Sequence, residues 1–176
     1  MKFYMKLQDW LAGPFSQKMQ KFMQNPYMHA LQVCFTIILP MIMVGSLASL
    51  VNTFRNFAPW LPDLSLINSF SFGLISIFMA FLIPYTIMES KKLQKQKMIT
   101  GFASVSALIA LANPQYVDGN LVINSGYVGT GGMTVAMVMG LVIGWLFSAY
   151  FKHGLFKKDS SLPSVVVVWF ESILII

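Results

Sequence analysis

Long apolar runs separated by short polar segments set the pattern of this chain. In the first long run, Ala30–Val51, the thiol of Cys34 is the one ionisable group. A helix rises about 1.5 Å per residue, so roughly 20 apolar residues cross a hydrocarbon core about 30 Å thick. A second run, Leu66–Met88, contains no charged residue. The pattern therefore predicts two transmembrane helices in the first half of the chain.

Three further apolar runs follow in the second half. Met98–Ala112 would be about 22 Å long as a helix and is rich in small residues, so it packs better among helices than against lipid. It is predicted to be a third span, and Gly132–Phe151 a fourth. Ser164–Ile176 is too short to cross a bilayer and is predicted to be the start of a fifth.

The fourth predicted span carries a small residue at every fourth position. The members of this row are Gly132, Ala136, Gly140, Gly144 and Ser148. A row of small side chains on one face lets a second helix approach closely. The pattern predicts a helix-packing surface and leaves open whether its partner is another span or another subunit.

The segment between the third and fourth spans has the pattern of a β-hairpin. Tyr116-Val117 and Leu121-Val122-Ile123 flank the turn-forming residues Asp118-Gly119-Asn120. The fold class predicted from these elements is an all-α membrane protein. We expect a polytopic helical bundle of four spans plus the start of a fifth, with an extracellular β-hairpin.

Composition agrees with a membrane protein. The chain is 56% hydrophobic and 10% charged, whereas soluble domains carry about 25% charged residues. The net charge of +6 does not predict nucleic-acid binding, because the basic residues lie in short clusters beside apolar spans. Residues 1–29 alternate lysines with apolar and aromatic residues, which predicts an amphipathic segment on the membrane surface.

The distribution of lysine and arginine predicts the orientation. Basic residues are concentrated in residues 1–29, Glu89–Lys97 and Lys152–Pro163. Of the other two connections, one contains a single basic residue, Arg55, and the other contains none. Cytoplasmic loops are enriched in lysine and arginine. We therefore expect these three segments, the first of which contains the amino terminus, on the cytoplasmic side of a plasma membrane, with the β-hairpin outside.

Two groups of residues are candidates for a functional role. The loop lysines, Lys91, Lys92, Lys95 and Lys97, could dock an acidic cytoplasmic partner, although orientation alone explains them equally well. Glu171 lies in an apolar run, which makes it a candidate functional carboxylate, and a purely structural role stays open. No cluster of His, Asp, Glu or Cys has catalytic or metal-ligand spacing, so no catalytic residue, metal or cofactor is predicted.

Four segments carry a resemblance to a known family. They are LPMIMVGS (Leu39–Ser46), YVDGNLVI (Tyr116–Ile123), SGYVGTGGMTVAMVMGLVIG (Ser125–Gly144) and LPSVVVVWFESILI (Leu162–Ile175). In this order they resemble the first part of the lactose/cellobiose-type membrane subunit (enzyme IIC) of the bacterial sugar phosphotransferase system. The resemblance covers nearly the whole chain but well under half of a typical family member.

The resemblance implies a sugar permease in a bacterial plasma membrane. Such a subunit takes up a β-disaccharide such as cellobiose or lactose, which the cytoplasmic phosphocarrier subunit (enzyme IIB) phosphorylates. It also implies a homodimer formed largely by the amino-terminal helices. Since the family's sugar-binding elements belong to the later half, this chain would be a scaffold half that does not transport alone. The alternative is a small self-contained accessory or immunity protein that associates with a full-length permease.

Overall fold

A computed structural model describes Gly13 and residues 16–153 of the chain. Several predictions concern residues outside this range, namely about half of the amphipathic segment 1–29, the start of a fifth span and the carboxylate of Glu171. These predictions lie outside the described residues.

The described part of the chain consists mainly of helices. The helices are α1 (Ser16–Met23), α2 (Pro26–Phe54), α3 (Ser65–Phe72), α4 (Ile75–Ser90), α5 (Lys97–Leu111), α6 (Ser125–Val128) and α7 (Met133–His153). The strands are β1 (Gln115–Val117) and β2 (Asn120–Val122), and a 3₁₀ turn covers Thr130–Gly132. Within the described range, three stretches are long and apolar enough to cross a membrane: Pro26–Phe54, Ser65–Ser90 and Thr130–Lys152. Helix α5 is apolar but shorter, at 15 residues.

The first long helix, α2, begins earlier than the apolar run that predicts it. The side chain of Asn25 accepts a hydrogen bond from the backbone N–H of Tyr27 at 3.0 Å, and Pro26 occupies the first helical turn. Both residues favour a helix start, because an Asn side chain satisfies an unpaired backbone N–H and proline has none to satisfy. Helix α2 then continues through Pro40 to Phe54.

The second membrane-length stretch is interrupted, which the apolar pattern of Leu66–Met88 did not predict. Helix α3 ends at Phe72 and α4 begins at Ile75, so Gly73 and Leu74 form a helix break. Glycine is a poor helix former, and a glycine-rich segment packs against this point. A Cβ on Gly129 would lie 3.2 Å from the carbonyl oxygen of Phe72.

Helix α4 lies at the centre of the bundle and packs against α2, α5 and α7. Its side chains Met79, Ile83 and Ile87 are fully buried. Large apolar side chains on the surrounding helices point outward instead; they include Met43, Leu47, Phe102, Val138 and Trp145. Apolar side chains on both the inside and the outside are expected of a bundle that is surrounded by lipid.

Contacts between helix termini show that successive long helices alternate in direction. Lys91, just after α4, contacts Tyr27 at the start of α2 and Ser148 near the end of α7. Lys97, the first residue of α5, pairs with Glu89. We call this end of the bundle the lysine end. The linker between α2 and α3 and the two-stranded sheet lie at the opposite end.

The two strands pair antiparallel, with Tyr116 opposite Leu121. The two residues between them, Asp118 and Gly119, have φ values of 50° and 78°. Positive φ at both central residues is what a tight turn between twisted strands requires, and Asp-Gly accommodates it. The sheet thus forms around the turn that the sequence indicates, and its position outside the membrane stays a prediction.

The environment of Asp63, in the linker between α2 and α3, leads us to expect a pH-dependent stability. Hydrogen bonds from Ser65 and an ion pair with Arg55 at 2.7 Å lower the pKa of Asp63. A carboxylate whose pKa is lower in the folded state stabilises the fold above its unfolded pKa of about 3.9, and that stabilisation is lost as the pH falls through the folded pKa. In detergent, we expect the melting temperature to decline below about pH 4 in the intact chain, and to decline less in Asp63→Asn.

The matched control is Asp118→Asn, which removes an exposed carboxylate from the strand turn. It should keep the acid sensitivity of the unaltered chain. Equal pH profiles for Asp63→Asn and the unaltered chain would contradict the role given to Asp63.

Candidate functional sites at the lysine end and at the helix break

Hydroxyl groups from two other helices hold the ammonium group of Lys91. Its Nζ donates hydrogen bonds to the Tyr27 hydroxyl and to Ser148 Oγ, both at 2.7 Å. The same Nζ lies 4.6 Å from the centroid of the Tyr27 ring, which is cation–π distance. Among residues 16–153, no carboxylate lies within 4.0 Å of it. Neutral dipoles and a ring therefore stabilise this half-buried charge, and no carboxylate of the described residues neutralises it.

Lys97 has a different environment, because an acidic residue compensates its charge. Its Nζ donates to Glu89 Oε1 at 2.8 Å and lies 4.6 Å from the centroid of the Tyr85 ring. The hydrogen bond to Glu89 raises the pKa of Lys97 above its ordinary value. This ion pair links the start of α5 to the end of α4.

The other two loop lysines are exposed. Lys92 has a φ of 62°, and the N–H of Leu93 donates to the carbonyl of Met88 at 2.9 Å. This left-handed residue with a 6→1 hydrogen bond closes the carboxyl end of α4. Of the four lysines predicted to dock a partner, Lys91 and Lys97 are thus engaged within the fold. Docking of an acidic partner stays a prediction, with Lys92 and Lys95 as the accessible members.

A cavity of about 450 Å³ opens beside Lys91 at the lysine end. Its lining residues are Lys91, Leu93, Trp145, Ser148, Ala149 and Lys152. The volume lies within the range of about 300–1,000 Å³ that small-molecule sites occupy. The two lysines supply hydrogen-bond donors, so the chemistry of this cavity suits an anion, whereas the Ser148 hydroxyl donates its proton to the Trp145 carbonyl.

The row of small residues from Gly132 to Ser148 faces α4 of the same chain. A Cβ on Gly140 would lie 3.0 Å from Ile83 Cβ, and one on Gly144 would lie 2.6 Å from Ile87 Cδ1 and 3.2 Å from Pro84 Cα. The other members, Gly132, Ala136 and Ser148, are buried. The sequence left open whether this row meets a span or a subunit, and in the structure it meets a span.

A second candidate site lies at the helix break. The hydroxyl of Ser76 donates to the backbone carbonyl of Gly129 at 2.5 Å, which ties the glycine-rich segment to α4. A cavity of about 690 Å³ extends from this contact, and its polar lining side chains are Asn68, Ser69, Ser125 and Thr130. Amide, hydroxyl and backbone groups line it without any charged residue, so its chemistry suits a neutral polar ligand.

The remaining candidate residues supply no further site. Glu171 lies outside the described residues. Within the part of the chain that the structure describes, no group of three His, Cys, Asp or Glu side chains could hold a metal ion. Comparisons with protein-family models, with curated proteins and with solved structures find no match to this chain.

Sequence analysis missed Tyr27, Ser76 and the helix break. The signal for the break was Gly73, an isolated glycine in an apolar run, where helices in membranes can be interrupted if neighbours satisfy the backbone. No local pattern joins Tyr27 to Lys91, since 64 positions separate them. Their contact follows from the antiparallel packing of α2 and α4.

The contact between α7 and α4 predicts that a large side chain at Gly144 destabilises the fold. Gly144→Leu would place its side chain against Pro84 and Ile87 and force the helices apart, and overpacking of this kind costs about 1–3 kcal/mol. We expect a lower melting temperature in detergent. Val138→Leu is the matched control, because Val138 is 55% exposed on the same helix. Equal melting temperatures for the two variants would contradict the packing described here.

Proposed function

We propose that this chain forms the scaffold part of the membrane subunit (enzyme IIC) of a lactose/cellobiose-type sugar phosphotransferase system. The permease takes up a β-disaccharide, which the cytoplasmic enzyme IIB subunit phosphorylates. The observation that carries the proposal is the order of four segments along the chain, from Leu39–Ser46 through Tyr116–Ile123 and Ser125–Gly144 to Leu162–Ile175. No single segment is diagnostic, and their order and spacing support the assignment together.

The proposed topology has four spans and the start of a fifth in a bacterial plasma membrane. Helix α5 is the short span, and its small residues suit it to a position among longer helices. The alternating directions of the long helices support this threading, because they bring Lys91, Lys97 and Lys152 to the same end of the bundle. Because cytoplasmic loops carry an excess of lysine and arginine, the lysine end faces the cytoplasm in this proposal and the two-stranded sheet lies outside.

In this proposal the chain supplies support and contacts, and another part of the permease binds the sugar. The tight packing of α4 against α7 suits a rigid scaffold, which also forms the homodimer. Lys92 and Lys95 are exposed at the proposed cytoplasmic end and are the residues we expect to face enzyme IIB. No catalytic residue is assigned to this chain.

A split-permease experiment tests the proposal. Residues 1–176 and the sugar-binding remainder of a lactose/cellobiose-type subunit are expressed as separate chains, with enzyme IIB, in cells that lack disaccharide uptake. We expect phosphoenolpyruvate-dependent uptake of labelled cellobiose or lactose when both chains are present and none with either alone. Gly144→Leu should reduce that uptake, and Val138→Leu should preserve it.

Two results would contradict the proposal. Uptake by residues 1–176 alone would show that the sugar site has been misplaced. Absence of uptake from the pair, although both chains insert into the membrane, would favour the alternative of an accessory or immunity protein. In that case the chain should co-purify with an intact permease.

A further inference from the structure

An apolar groove along the outside of the bundle adjoins the cavity beside Lys91. The groove has a volume of about 270 Å³ and is lined by Tyr27, Leu141, Val142 and Trp145. Trp145 lines both spaces, and Tyr27 both lines the groove and holds Lys91. The surface formed by these two adjoining spaces has cationic groups at the lysine end and apolar groups beyond it.

The groove follows the axis of α7 towards the middle of the bundle. Lys152, Ser148, Trp145 and Leu141 are spaced three or four residues apart, so they lie on successive turns, each about 5.4 Å further along the helix. Polar groups thus come first and apolar groups follow with depth. A phospholipid has the same order, with a phosphate at the membrane surface and acyl chains beneath it.

The cavity carries positive charge that no carboxylate in the described part of the chain neutralises. Within the described residues, neither Lys91 nor Lys152 has a carboxylate within 4.0 Å, and the nearby Glu89 is paired with Lys97. The carboxyl ends of α4 and α7 contribute about half a negative charge each. Two lysines against these helix ends leave a positive charge of roughly one.

The hydrogen bonds of Lys91 also leave room for a ligand. An ammonium group has three N–H donors, and two of them go to Tyr27 and Ser148. The third can reach an oxygen atom placed in the cavity that Lys91 lines. The two protein contacts fix the position of the ammonium group, so it loses little side-chain freedom when a ligand binds.

We propose that this surface binds one anionic phospholipid. Its phosphate accepts hydrogen bonds from Lys91 and Lys152, and one acyl chain lies along Trp145, Val142 and Leu141. A free phosphate or other soluble anion would leave the apolar groove unfilled, and a neutral phospholipid would leave the positive charge uncompensated. Basic pockets between transmembrane helices are known to recognise lipid head groups in this way.

Lipid binding to the purified chain tests the proposal. The full chain is freed of lipid in a neutral detergent and titrated with phosphatidylglycerol or with phosphatidylcholine of the same acyl chains, and bound lipid is counted by native mass spectrometry. We expect phosphatidylglycerol to bind at least about tenfold more tightly, because its charge is not cancelled within the head group. Inorganic phosphate at millimolar concentration should not compete.

Three variants distinguish binding of the anionic lipid at this site from its nonspecific attraction to any lysine. Lys91→Gln should weaken binding of phosphatidylglycerol about tenfold, and Lys152→Gln about fivefold, the effect expected of one lysine near a membrane surface. Lys95→Gln is the matched control, since Lys95 is an exposed lysine of the same loop that does not line the cavity. It removes the same charge and should change binding less than twofold.

The proposal is overturned if Lys95→Gln weakens binding as much as Lys152→Gln, or if the two lipids bind equally. Competition by inorganic phosphate would assign the cavity to a soluble anion, and competition by an acidic peptide would assign it to a protein partner. If Lys91→Gln fails to fold because it disconnects three helices, Lys152→Gln decides, since the side chain of Lys152 is exposed.

Discussion

Where α7 crosses α4, glycines take the place of side chains, and the two helix backbones come close together. A Cβ on Gly144 would lie 3.2 Å from Pro84 Cα and 2.6 Å from Ile87 Cδ1, so a side chain at this position requires its neighbours on α4 to shift. In lipid, helices associate through packing and hydrogen bonds, because lipid tails are as apolar as the side chains they would replace. Close packing of the two backbones therefore holds these helices together, whereas in water the hydrophobic effect would do so.

Both candidate sites depend on this approach. At the lysine end it brings Ser148 of α7 within 2.7 Å of Lys91, and at the helix break it brings the carbonyl of Gly129 within 2.5 Å of Ser76. The two sites differ in chemistry, since the first is cationic and the second is uncharged. The lysine end therefore suits an anion, and the cavity at the helix break suits a neutral polar ligand.

The sequence predicted the features that local patterns encode. The apolar runs located the three membrane-length stretches, and the row from Gly132 to Ser148 identified a packing face. Asn25 and Pro26 lie in residues 1–29, the segment predicted to be amphipathic, and in the structure they start α2. The Asn25 side chain accepts a hydrogen bond from a backbone N–H of the first turn, and proline at that turn has no N–H to satisfy.

Features that depend on tertiary packing could not be predicted in the same way. The residues on both sides of the helix break at Gly73 are mainly apolar, so the apolar pattern does not indicate a break. The glycine-rich segment that packs against this point is distant in sequence and is seen only in the structure. The contacts of Lys91 join residues 57 and 64 positions away. A lysine that looked like part of a docking surface is therefore partly a structural residue, because its partners come from distant helices.

The alternating direction of the helices across a membrane is the central claim, and labelling of single cysteines tests it directly. Cys34 is the sole cysteine of the chain. In a Cys34→Ala background, Lys95→Cys and Asn120→Cys each place one thiol at an exposed position, at opposite ends of the bundle. In intact cells, a membrane-impermeant maleimide should label Asn120→Cys, and it should label Lys95→Cys only after the membrane is opened. Labelling of both positions from the same side would contradict the account.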